Sequence, residues 1–166
     1  MQQDSPEDRI LESLVMDAIK LVQNFAADIT EHPLHIYYTA LLLHPADSIV
    51  CQTFFSESRF SDRGGPEHLQ RMNIDLKHNL CDMTISAPLA AESLPEELAW
   101  VCRSWTNHIW AIAEHQSWVI VTLDLFLRTH LLHWFEAMSI IKKAKNILPM
   151  LERVLGWLMV RVVFSS

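Results

Sequence analysis

SPEDRILESLVMDAIKLVQNFAADIT, residues 5–30, decides the fold class. Ser5 can cap a helix, Pro6 suits the first helical position, and Glu7 and Asp8 sit where negative charge meets the positive end of the helix dipole. Ile10, Leu11, Leu14, Val15, Ala18, Ile19, Val22, Phe25, Ala26 and Ile29 then recur at steps of three and four. That rhythm places them along one side of a helix. The helix must stop before Pro33, because proline pushes the preceding residue out of the α region.

The same reading extends along the chain. His35 to Leu43 (HIYYTALLL) fits a strand or a buried helical turn, and periodicity does not decide between them. Pro45-Ala46-Asp47-Ser48 restarts a short helix to about Glu57. Arg59 to Pro66 (RFSDRGGP) is a loop, with its strongest break at Gly64-Gly65-Pro66. Pro66 opens a helix through Leu69, Met72, Leu76 and Leu80, and Ala87 to Ser93 is a connection of small residues. Leu94-Pro95-Glu96-Glu97 starts another helix, with Leu98, Val101, Cys102, Trp105, Ile109 and Ile112 on one side. Further helices are predicted over 118–128, 129–141 and 144–160, with Pro149 either kinking the last or marking its start. The expected fold is all-α: an irregular multi-helix array with a C-terminal antiparallel helix pair. Its parts are an amphipathic helix with short helical segments (1–57), a Gly/Pro loop (58–66) and a helical region (67–166).

Composition narrows the function classes. Half of the 166 residues are hydrophobic and only 3 are Gly, which supports a buried core and disfavours disorder or a turn-dense β-sandwich. The net charge is -7 with no basic block, so no nucleic-acid partner is expected. Cys51, Cys81 and Cys102 are odd in number and form no C-x-x-C pair, against a disulfide scaffold or a zinc knuckle. There is no N-x-[ST] sequon, and the first residues, MQQDSPEDR, lack a signal-peptide layout. Together these features point to a reducing, cytoplasmic setting. The most apolar stretches, 117–127 and 147–164, are interrupted by Asp124 and by Glu152, Arg153 and Arg161, so neither suits a membrane span. The second could lie on a membrane surface; a buried helix is the preferred reading.

Motifs for chemistry are scarce. No P-loop string is present, so Val119 to Asp124 (VIVTLD), which mimics a strand ending in a magnesium-binding Asp, has no phosphate cradle and reads as apolar helix. No G-x-S-x-G elbow occurs, the cysteines sit in apolar patterns, and Glu96-Glu97 fits a helix start. His130, His133 and Glu136 stand at i, i+3 and i+6 on a predicted helix and could hold a metal, although H-E-x-x-H is absent. His32 and His35 share that spacing, but Pro33 interrupts it. No catalytic residue, cofactor or small-molecule substrate is expected, so the chain reads as a non-enzyme. Six Trp call for large apolar contacts. Trp105 aligns with Val101 and Ile109, whereas Trp100 and Trp110 point elsewhere. Trp105, Trp134 and Trp110 are therefore candidate protein-contact residues, beside the reading that Trp105 is buried on most sides.

Two stretches carry a family resemblance. Leu94 to Ile109 (LPEELAWVCRSWTNHI) and Phe126 to Leu158 (FLRTHLLHWFEAMSIIKKAKNILPMLERVLGWL) resemble the helices that follow the nucleotide-binding domain of basidiomycete fungal NACHT proteins, which are STAND-type NTPases. Pro95, Leu98, Cys102, Trp105 and His108 match one helix of that pattern. Phe126, Leu127, Leu131, Leu132, Trp134, Glu136, Ala137 and Ser139 match the next. Met72-Asn73, Leu76, Asn79 and Cys81 resemble the stretch just upstream. The likeness covers roughly half the chain and identifies a scaffold rather than a reaction. The family's NTPase motifs are missing here. Leu14 to Phe55 resembles a segment expected later in such proteins, before a WD40 propeller, so the segment order differs. The resemblance implies a helical linker or scaffold, or a fragment of such a signalling protein, whose partners are adjacent NTPase or repeat domains. Two other readings stay open: a small helical metal protein or enzyme using His130, His133 and Glu136, and a membrane-surface protein docking through 147–164.

Overall fold

The computed structural model describes residues 6–55, 94–112 and 117–164. Six α-helices occupy most of them: α1 (Pro6–Glu31), α2 (Leu41–Leu43), α3 (Ile49–Phe55), α4 (Glu96–Ala111), α5 (Ser117–Ile140) and α6 (Ile147–Phe164). A π-helical turn, Ile36–Ala40, leads into α2, and a 3-10 turn, Ala144–Asn146, leads into α6. Among the described residues there is no strand. The fold is all-α. The expected loop at 58–66, the helix opened by Pro66, Cys81 and the connection at 87–93 lie outside the described residues.

The first helix follows its sequence closely. It starts at Pro6 and ends at Glu31, two residues before Pro33. Leu11, Leu14, Val15, Ala18, Val22 and Ile29 are buried as the rhythm required, and Leu21 joins them. Ile10 and Ala26 instead face solvent. The helix bends at Phe25, where φ is -123° and ψ is 20°. At the bend, the Phe25 ring sits edge-on to His44, with centroids 6.5 Å apart. The ambiguous segment 35–43 resolves as helix throughout. Isolated π-helical turns of this kind occur mostly where a helix carries a local irregularity, often at a functional site.

Two helix boundaries differ from expectation. The stretches 118–128 and 129–141 form one continuous helix, α5, of 24 residues. No Gly or Pro stands at the predicted break, and Arg128 Nε donates to both carboxylate oxygens of Asp124 one turn back, at 2.8 and 2.9 Å. That ion pair also gives Asp124 a structural role on an apolar helix. Pro149 lies in the first turn of α6, where the missing N–H would have had no intrahelical acceptor anyway.

The core draws on both ends of the chain. α6 lies chiefly along α1 and next along α4, while α1 also packs on α5 and α3. The C-terminal pair expected from the sequence is not the dominant contact: α5, the helix before α6, is not among its main partners. The apolar stripe of α1 is buried against α6 instead. Along the seam with α4, Asn107 accepts from Arg153 and Trp110 meets Gly156. The same three-residue step on each helix means that α4 and α6 run in the same direction there.

No helix among the described residues is long and apolar enough to cross a membrane.

Candidate functional site

The expected contact residues separate into two kinds. Trp105 and Trp134 are 1% and 0% exposed, inside the core. Their rings meet edge-on at 5.2 Å with planes 82° apart, and Trp105 meets Phe126 the same way at 5.1 Å. Such T-shaped pairs add about 0.5–1.5 kcal/mol beyond the area they bury. The Trp134 indole N–H donates to the Cys102 carbonyl at 3.0 Å, tying α5 to α4. The Trp105 indole N–H has no oxygen or nitrogen acceptor among the described residues. Neither ring can reach a partner, so both are removed from the candidate contact surface. The cause is the apolar spacing of α4, which turns Trp105 inward together with Val101, Cys102 and Ile109.

Trp110 behaves differently. It is 49% exposed. Its ring lies over Gly156 of α6, where an added Cβ would sit 3.6 Å from Trp110 Cζ3. Met159 and Val160, one turn further along α6, are also exposed. Trp100 and Trp118 are exposed to a similar degree on other faces. Half-exposed tryptophans are residues of the type enriched among binding hot spots.

His130, His133 and Glu136 do fall on one side of α5, yet they do not act as a trio. His130 Nδ1 and His133 Nδ1 face each other at 3.1 Å. Glu136 is fully buried, and its Oε2 accepts from the Tyr37 hydroxyl at 2.9 Å. Among the described residues no group of three or more His, Cys, Asp or Glu side chains is arranged to hold a metal ion. The three-residue set carried as an alternative is thus not assembled among the described residues: the Glu136 carboxylate accepts from the tyrosine. Burial pushes the Tyr37 phenol well above its ordinary value of 10.0, and the charge of Glu136 and the hydrogen bond to it push it further. It stays a proton donor throughout the physiological range. One turn on, the Ser139 hydroxyl donates to the Ile29 carbonyl at 2.5 Å, joining α5 to the end of α1.

His32 and His35, also paired by spacing, serve the backbone. His32 Nδ1 accepts from the Leu34 N–H at 3.1 Å, and His35 Nδ1 contacts the Asp28 carbonyl at 3.2 Å. Cys51 and Cys102 are buried free thiols, and Cys51 Sγ donates to the carbonyls of Leu41 and His44.

A second polar junction escaped the sequence reading. Asp17 Oδ2 accepts from the Val50 N–H at 3.0 Å, and Oδ1 meets His44 Nε2 at 3.4 Å. Ser48 Oγ accepts from the Cys51 N–H at 3.0 Å, capping α3. A groove of about 490 Å³ opens beside this junction, lined by Asp17, Lys20, Asn24, His44 and Asp47 among others. The only signal for the junction was Asp17 within an apolar stripe, and its partner lies 33 residues away. Spacing could not have found it.

Set against family models, curated proteins and solved structures, the chain matches none.

Proposed function

We propose that this chain is a non-enzymatic helical scaffold, the connector of a fungal NACHT-type signalling protein, which touches its neighbours along the α4–α6 seam. The carrying observation is Trp110, half exposed over Gly156, with Met159 and Val160 also exposed one turn further along α6. It offers a broad apolar contact at a seam where two helices are already held in register. The family likeness in Leu94–Ile109 and Phe126–Leu158 supplies the parent. In such a protein this region would join an ATP-driven oligomerisation domain to a ligand-sensing repeat array, in the cytoplasm, within self/non-self recognition. Packed helices suit that task, because close-packed interfaces switch between discrete arrangements and do not deform continuously.

The test is to express the chain with the flanking domains its transcript encodes and to compare wild type with the Trp110→Ser and Met159→Ser variants. Weakened docking of the flanking domains, with both variants still folded by circular dichroism, is the expected result. Docking that is indifferent to both substitutions would remove the seam from the account.

A further inference from the structure

We propose that the turn between α5 and α6 docks a short acidic segment of a partner protein through Lys142, Lys143 and Lys145. These are three of the chain's five lysines, the others being Lys20 and Lys77. They fall within four positions of a chain whose net charge is -7, and residues 137–151 hold no Asp or Glu. The turn therefore carries a local charge of +3. Lys142 and Lys145 are exposed and Lys143 is partly so. Among the described residues no hydrogen bond or ion pair engages any of the three ammonium groups. The carboxylate next upstream, Glu136, is buried and accepts from Tyr37. The backbone beneath the lysines is already fixed: Lys143 N–H donates to the Met138 carbonyl at 2.8 Å and Asn146 N–H to the Lys143 carbonyl at 2.9 Å, while Ala144 and Ile147 are buried. A partner thus has little main chain to order on binding. Helix dipoles explain only part of the pattern. Cations suit the end of α5, but Lys145 stands just before the positive end of α6, whose first turn has no acidic residue. A carboxylate brought to this turn would meet the ammonium groups and that helix end together. An extended polyanion fits less well. A bilayer of anionic lipid or a nucleic-acid duplex would also face the chain's net negative charge, whereas a short segment senses chiefly the charges within about 8–10 Å. Met159 and Val160, the exposed apolar side chains of α6, lie toward its far end, so α6 offers no apolar anchor beside the lysines.

The full chain is titrated into a fluorescein-labelled hexaglutamate peptide, with anisotropy read at low and at high salt. The expected result is saturable binding that salt weakens. It is abolished when Lys142→Gln, Lys143→Gln and Lys145→Gln are combined, and retained in Lys20→Gln, which removes an exposed lysine of α1. Each single replacement should weaken binding about two- to fivefold, the range of one exposed ion pair. Lys142→Gly separates binding from folding: peptide affinity falls while the urea midpoint rises, because glycine suits a backbone at φ 59°. Circular dichroism checks that each variant is folded. Absence of saturable binding by the wild type, binding unchanged in the triple variant, or capture by phosphatidylserine vesicles without binding of the peptide overturns the proposal.

Discussion

Tyr37 and Glu136 stand 99 residues apart and meet in the interior. Tyr37→Phe removes a donor to a buried carboxylate, a loss of about 1.5–3 kcal/mol that urea unfolding would read. The pH dependence follows from the raised phenol. Above about pH 10, the unfolded chain releases the tyrosine proton while the native chain keeps it. The unfolded state then binds fewer protons, so stability falls as pH rises. The contribution is complete below that pH and is lost above it, and Tyr37→Phe should lack this alkaline decline. Lys142 gives a second residue-scale test. It is the described non-glycine residue with positive φ, at 59°. Its N–H donates to the Ser139 carbonyl, while Lys143 N–H donates to the Met138 carbonyl, so α5 ends in a Schellman motif with lysine at the position glycine prefers. Lys142→Gly should stabilise by about 1 kcal/mol in the same denaturant assay.

At the scale of the elements, the sequence was most legible where a single stripe met strong end signals. α1 shows this: Pro6 and Pro33 bracket it, and the apolar steps name most of its core. α5 was harder. It is apolar nearly all round, so no polar face marked its phase, and Arg128-Thr129 looked like an interruption although the arginine turns back to Asp124. The segment 35–43 was ambiguous because an apolar run of that length fits either period. Tyr37–Glu136 and Asp17–Val50 were illegible because one polar residue in an apolar stripe does not name a distant partner. The His130–His133 contact was legible as spacing, but its separation from Glu136 was not. Gly156 tests the reading of α6. An added methyl would meet Trp110 at ordinary van der Waals distance, so Gly156→Ala should gain about 0.5–1 kcal/mol of helix stability with no clash to offset it. A lower melting temperature in that variant would mean the seam is tighter than described.

The whole molecule rests on a core shared by α1, α4, α5 and α6, so the six tryptophans divide by position and not by number. Trp105→Ala should cost about 3–5 kcal/mol, as truncation of a buried aromatic does. Trp110→Ser should cost clearly less, because about half of that ring already lies in solvent. Equal losses in the two variants would show that the division into core and contact surface is wrong. The scaffold reading depends on that division, and it depends still more on what the chain is joined to. The decisive measurement is the full-length transcript across this reading frame. The account predicts that it continues into a nucleotide-binding domain with a P-loop on one side or into a WD40-type repeat array on the other. A transcript that encodes neither would contradict the connector role.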